Sequence, residues 1–406
     1  MSKPPGLIGV RELFSRRRRV SRGVGTAPAP LVDYVHRKEL LRPGNLVEPL
    51  RCGSEAFPAM LEAIAGARRT VNLETYILQA DRIGRAFQSA LIERARAGVR
   101  VRVLFDALGS FELPESFVDE LVEGGVHVAE FHPIAPWRPR RGFNQRDHMK
   151  ILVVDGAVGF TGGLNIGEEY DALEAGGGGW FDMHARVRGP IVADLEALFQ
   201  GTWWRAAGER LLPEADQSHA PDPPHMLASV IHNFGIQNRS RKRIAYLHAI
   251  RAARARICLM NAYFIPDFAL RMALRAAVDR GVRVEVIVPE VSDVHVVQLA
   301  SRHLYPGLLR GGVHLYEWPA RMMHAKMGVI DGAWSTIGSY NIDRRSLFHN
   351  LEASVVVADT RFGGALQKVF DEERGRSREV GLAECLERPA FVRARQWFCH
   401  LWRYWL

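Results

Sequence analysis

The chain has 406 residues, 47% apolar and 24% charged with a formal net charge of +9, which leaves room for two hydrophobic cores and excludes disorder throughout. The charge sits at the ends: residues 1–40 hold nine Lys or Arg against three acids, residues 386–406 hold four Arg against one Glu, and the body between is formally neutral. A neutral body speaks against a protein that tracks a phosphate backbone, so no nucleic-acid partner is expected, whereas basic ends suit adsorption to an anionic membrane surface.

Residues 1–45 read as a basic N-terminal extension, with a solvated cluster from Arg16 to Arg19. No apolar stretch follows that cluster, so no secretory signal is expected, and no run of roughly 18 apolar residues marks a spanning helix. A first α/β domain is expected over 46–212: a helix over 56–67, a strand over TVNLETYIL (70–78), a helix around 83–97 and a strand over VRVRVLFD (99–106). GGVHVAEFHP (124–133) adds a further strand. This βαβ rhythm predicts a mixed, mainly parallel sheet flanked by helices.

The Pro-rich segment at 213–226 reads as a linker, after which the pattern restarts over 227–375. Helices are expected at 243–255 and 268–281, with strands at 256–265 and 282–289. GVRVRVLFD (98–106) pairs with GVRVEVIVP (281–289), and GGVHVAEFHP with GGVHLYEWPA (311–320). A period this long denotes two similar domains in pseudo-twofold arrangement, with the site at their interface. Residues 376–406 form a basic, aromatic end. From Pro389, Phe391, Ala394, Phe398, Leu401, Trp402 and Trp405 recur at helical steps, with Arg393, Gln396, His400 and Arg403 largely elsewhere. Two readings fit: an interfacial membrane helix, or a helix packed on the body. Cys52, Cys258, Cys385 and Cys399 lack CxxC spacing, which argues against structural zinc and suggests a reducing compartment.

Within the repeat, His148, Lys150, Asp155 and Asn165 recur at identical spacing as His324, Lys326, Asp331 and Asn341. Read as strands, HMKILVVD and HAKMGVID place each His and Lys on one face, where both address the same oxyanion. Two imidazoles facing one phosphorus divide a displacement between nucleophile and general acid/base. The lysines neutralise the non-bridging oxygens, Asn165 and Asn341 add neutral donors, and no metal or cofactor is called for. Asp182 and Glu352, 34 and 28 residues beyond the histidines, are candidates to bond Nδ1 and orient the rings. Asp155 and Asp331 belong to the motif but lie too far along for direct acid/base work, and are expected to hold the Asp-Gly turn. The first half carries eleven extra residues before its His, with Trp137, Arg138, Arg140, Arg141, Phe143 and Arg146; these are either a surface insertion or a rim for anionic headgroups. Gly176 to Gly179 read as a flexible connector.

The duplicated HxKxxxxD motif resembles the phospholipase D superfamily over roughly residues 46–375. Within it, LETYIL (73–78), RDHMKILVVDGAVGFTGGLNIGEEY (146–170), RGPIVADLEALFQGTWW (188–204) and MHAKMGVIDGAWSTIGSYNIDRRSLFHNLE (323–352) look most like bacterial cardiolipin synthases of the short type. The resemblance implies phospholipase D-like domains, phosphatidylglycerol as substrate and transfer through a phosphohistidine with loss of glycerol. It also implies a peripheral position on the cytoplasmic side of the bacterial inner membrane, His148 as nucleophile and His324 as acid/base. Gly163 stands where the second motif has Ser339, so the first half-site is expected to lack one hydroxyl donor to phosphate. A hydrolytic phospholipase D, a metal-independent nuclease and a catalytically silent membrane scaffold are the rival readings.

Overall fold

In the computed structural model, which describes residues 30–133, 144–211, 226–235, 238–319 and 321–403, the two halves grow from the same local signals. Asp81 and Asp267 each accept a hydrogen bond from a backbone N–H three residues on, Gly84 at 2.8 Å and Leu270 at 2.9 Å. These caps satisfy the first-turn donors of α2 (Arg82–Arg96) and α6 (Phe268–Asp279). Each helix sits between two strands that run parallel, β2 (Thr70–Thr75) and β3 (Arg100–Asp106), then β9 (Arg256–Asn261) and β10 (Arg283–Pro289). Helices α3 (Glu115–Glu123) and α7 (His295–Arg310) lead to the third parallel strands, β4 (His127–Phe131) and β11 (His314–Trp318).

The chain then doubles back. Asp155–Gly156 and Asp331–Gly332 all have positive φ, between 53° and 66°, the left-handed backbone that tight Asp-Gly turns use. They join β5 (Ile151–Val154) to β6 (Val158–Gly162) and β12 (Lys326–Ile330) to β13 (Trp334–Gly338) as antiparallel hairpins. Antiparallel pairing continues through β7 (Met183–Arg188) and β14 (Ala353–Ala358). The mixed α/β class therefore stands, but parallel pairing is confined to three strands in each half. Only those strands are separated by crossover helices, and a short turn can only return a strand antiparallel.

Two strands join the halves: β1 (Arg42–Arg51), which starts inside the segment read as an extension, and β8 (Met226–His232). β1 pairs with β7 on one side and β8 on the other, so one sheet runs β15-β11-β10-β9-β12-β13-β14-β8-β1-β7-β6-β5-β2-β3-β4, where β15 is Arg378–Glu379. The expected linker at 213–226 lies outside the described residues except for Met226, which opens β8. Helices α1 (Cys52–Ala65), α4 (Val192–Ala207), α5 (Arg241–Ala252) and α9 (Thr360–Arg376) flank the sheet, while the short α8 (Arg344–Phe348) precedes β14 and α10 (Leu382–Glu387) follows β15. One core cluster takes Ile151, Met183 and Leu195 from the first half with Met260, Met323 and Val355 from the second. Burial shared in this way holds the halves in one register, because apolar area is removed from water only when both are present.

The C-terminal helix α11 (Ala390–Leu401) rests on α7. It turns Gln396 inward and brings His400 to 4.8 Å from the His303 ring, while Phe391, Trp397, Phe398, Leu401 and Trp402 stay exposed. Trp405 lies outside the described residues.

Candidate active site

The sequence pattern made each His part of a strand, but the ladders begin later, at Ile151 and Lys326. What holds the two histidines is the opposite half of the chain. His148 N–H donates to Leu351 O at 2.9 Å and Leu351 N–H to Arg146 O at 2.8 Å; His324 N–H donates to Phe181 O at 2.7 Å and Phe181 N–H to Met322 O at 3.0 Å. These are parallel bridges between distant segments. Each sets the residue after the bridge, a carboxylate, beside the imidazole of the other half.

The orienting pairs are therefore crossed. Glu352 lies 3.1 and 3.2 Å from His148 Nδ1, and Asp182 lies 2.7 Å from His324 Nδ1. A proton on Nδ1 facing the carboxylate leaves Nε2 its lone pair. Lys150 Nζ donates to His148 O at 2.9 Å, and Lys326 Nζ donates to His324 O. Both imidazoles, both ammonium groups and both carboxylates are buried.

Burial sets the electrostatics. It pushes His148 down to about 4, with Lys150 adding to the effect and Glu352 opposing it, and it lowers His324 likewise, with Lys326 adding. Lys150 falls to about 7 and Lys326 to about 8, again through burial first. Burial works against ionisation of Glu352 and Asp182, yet His148 and Lys242 hold Glu352 down at about 2, and Lys326 and His324 keep Asp182 below the usual carboxylate range. The charge of Lys326 is felt at His148 and Lys150 as well as at its own His, so the two halves share one electrostatic site. A phosphodiester anion entering it relieves the repulsion among these groups.

The other motif residues do different work. Asp155 accepts from the backbone N–H groups of Arg68, Arg69 and Thr70, at 2.7–2.8 Å. Asp331 accepts from Arg254, Ala255 and Arg256 N–H at 2.7–2.9 Å and from Tyr34 OH at 2.9 Å. Both tie the hairpin turn to the loop before the neighbouring strand, away from the imidazoles. Asn165 donates to Tyr170 OH at 2.6 Å and accepts from Ile77 N–H at 3.2 Å. Asn341 is buried, and its Oδ1 finds no hydrogen-bond partner among the described residues.

Ser339 departs from expectation: its hydroxyl donates to Glu352, behind the imidazole, instead of facing the phosphate position. At Gly163 a Cβ would lie 2.2 Å from Asp182 Oδ1, so glycine there makes room for the carboxylate that orients His324. The difference between the halves thus concerns the carboxylates. Arg146, grouped with a headgroup rim, is instead buried and paired with Asp106 at 2.7 Å; 134–143, with Trp137, Arg138, Arg140, Arg141 and Phe143, lies outside the described residues. Gly177, Gly178 and Gly179 each donate to backbone carbonyls of the 168–172 segment, a tight turn in place of the connector expected.

Sequence reasoning missed the aromatic walls. Tyr76 stands edge-on to His148 at 5.0 Å, and Tyr170, Trp180 and Tyr263 surround His324 at 5.6, 6.0 and 6.4 Å. Aligning LETYIL with MNAYFI (260–265) places Tyr76 and Tyr263 at equivalent positions, a signal already present in the repeat. It also missed Lys242, buried on α5, whose Nζ finds no hydrogen-bond partner among the described residues and acts on Glu352; nothing in its local pattern marks it.

The chain is similar to known proteins in sequence and in fold. A family model described as cardiolipin synthase, phospholipase D-like domain, matches residues 60–174 and 246–374. The chain is 32% identical to the probable cardiolipin synthase YwiE of Bacillus subtilis (strain 168), over 87% of this chain and 71% of that protein. It is 34% identical to cardiolipin synthase A of Pseudomonas syringae pv. syringae (strain B728a), over 84% and 71%. In fold it is similar to the phosphatidylserine synthase of Haemophilus influenzae Rd KW20, with a TM-score of 0.69 at 14% identity, covering 89% of this chain and 95% of that one. With a family model on both repeats and relatives matched along most of their length, the chain belongs to the cardiolipin synthase family of phospholipase D-like proteins.

Proposed function

We propose that the chain transfers a phosphatidyl group from one phosphatidylglycerol to the hydroxyl of a second, forming cardiolipin and glycerol. The observation that carries this reading is the crossed pair of carboxylate-backed imidazoles in one buried site with two lysines. His148 Nε2 attacks phosphorus, the bond to the glycerol oxygen breaks, and His324, which enters the step as an imidazolium with Nδ1–H on Asp182, gives that oxygen its Nε2 proton. The acceptor hydroxyl then passes its proton to His324 and attacks phosphorus, and the N–P bond breaks. Lys150 and Lys326 balance the non-bridging oxygens throughout, and Asn341 adds a neutral contact. The repeats 46–212 and 227–375 are read as equivalent contributors of one His and one Lys each.

The working position is the cytoplasmic face of the bacterial inner membrane, held peripherally. Supporting this are the basic ends and α11, which packs polar residues on the body and exposes aromatics flanked by Arg393 and Arg395, the composition of an interfacial helix. Among the described residues no helix is long and apolar enough to cross a membrane.

The test is to incubate the purified protein, with chelator, with vesicles of labelled phosphatidylglycerol. Cardiolipin with free glycerol is the expected result. Phosphatidic acid alone would make the protein a hydrolase, and no turnover would refute the assignment.

A further inference from the structure

The two halves differ at the loops that follow β3 and β10. In the first, Ser110 Oγ donates to Tyr76 O at 3.2 Å and accepts from Leu78 N–H at 3.0 Å, so it staples backbone. The equivalent residue of the second, four beyond the end of β10 as Ser110 is four beyond β3, is Asp293. Its carboxylate is exposed, and both oxygens accept from Tyr263 OH at 2.7 Å. Ser292 Oγ is a further donor at 3.3 Å. The Tyr263 ring stands edge-on to His324, 6.4 Å away. The charge of Asp293 reaches His324 and Lys326 from its own half and Tyr76 and Tyr170 from the other.

A carboxylate beside a phosphate site repels the phosphate, so its position asks for a different ligand atom. Carboxylate oxygens only accept hydrogen bonds, and two of them offer about four lone-pair sites. The tyrosine and serine hydroxyls leave acceptor capacity on this exposed carboxylate. An alcohol that delivers one hydroxyl to His324 and carries a second hydroxyl offers the carboxylate a donor. A simple alcohol satisfies only the histidine.

We propose that Asp293, held by Tyr263, is a hydroxyl-binding subsite that selects a polyol, such as a glycerol headgroup, as acceptor beside His324. The proposal rests on His324 taking the acceptor's proton and adds a residue that chooses the acceptor. Equal concentrations of labelled glycerol and labelled 1-propanol, offered with phosphatidylglycerol vesicles, report the choice as a ratio of the two phosphatidyl products.

Wild-type protein is expected to favour glycerol. Asp293→Asn, which weakens the acceptor without changing shape, is expected to cut the ratio roughly tenfold, as loss of one charged hydrogen bond does. Tyr263→Phe, which frees the carboxylate, is expected to cut it in the same direction. An unchanged ratio in Asp293→Asn would overturn the proposal. So would equal loss of both products, because the carboxylate would then serve the chemistry instead of the choice. Failure of wild-type protein to form either product would refute phosphatidyl transfer itself, an outcome visible before any variant is assayed.

Discussion

Replacing Glu352 by Gln tests the crossed arrangement most directly. Glu352 is fully buried and faces His148 Nδ1 at 3.1 and 3.2 Å. Its pKa is drawn from 4.5 to about 2 although burial works the other way, with His148 first among the groups responsible, which corresponds to roughly 3 kcal/mol in favour of the ionised form. Removing that charge lowers turnover by about two orders of magnitude, and by up to about 10⁴ where the amide also selects the wrong imidazole tautomer. The assay is cardiolipin formation from labelled phosphatidylglycerol, repeated with a phosphatidyl ester of p-nitrophenol, whose leaving group needs no proton. Asp182→Asn, which disables His324, the proposed acid, should recover the single-turnover release of p-nitrophenol, while transfer to the acceptor, which needs His324 as base, stays slow. Glu352→Gln, which disables His148, the proposed nucleophile, should not recover that release. Turnover above a tenth of wild type in Glu352→Gln would refute the reasoning, and the opposite pattern of recovery would exchange the roles of the histidines.

Gly163→Ala drives a Cβ to 2.2 Å from Asp182 Oδ1 and should cost at least about tenfold in turnover through the displaced carboxylate, more than Ser339→Ala, which removes only a hydroxyl behind Glu352; comparable rates for the two would contradict this. His148, His184 and His232 are each pushed from 6.5 to about 4, burial being the leading cause. The unfolded chain binds these protons first, so the stability these three contribute is lost as pH drops from 6.5 towards 4, while Glu169 and Asp343, raised by burial to about 7, act in the opposite sense; urea midpoints of wild type and His184→Gln across that window isolate the histidine share, and the variant should lose less stability on acidification. Trp397 and Trp402 are each 53% exposed on α11, so their joint replacement by Ala should weaken cosedimentation with anionic vesicles while leaving the melting temperature within a few degrees, because surface changes are worth about 0.5 kcal/mol. A large fall in melting temperature would show that these rings pack on the body.

Much of this protein is written locally. Asp81 and Asp267 announce helices, the Asp-Gly pairs announce hairpins, and the repeated His, Lys, Asp and Asn spacing announces a duplicated site, because caps, turns and strand alternation depend on neighbours a few residues apart. Even so, TVNLETYIL read as strand to 78 ends at Thr75, since the residues beyond it carry Tyr76 to the imidazole instead of continuing the ladder.

The pairing of carboxylate and imidazole could not be read in that way. From spacing alone Asp182 and Glu352 belong with the His of their own half, and the structure exchanges them across 142 and 204 residues of chain. The same holds for Ser339, whose partner is a carboxylate, and for α11, where the amphipathic pattern was clear but the face turned to the body was not. The sequence by itself determined the residue types, the repeat and the turns, because short-range sterics and hydrogen bonding act within one segment. Which half completes which site was decided only by the bridges at Leu351 and Phe181 and the core shared between the halves, because contacts between distant segments leave no trace in local periodicity.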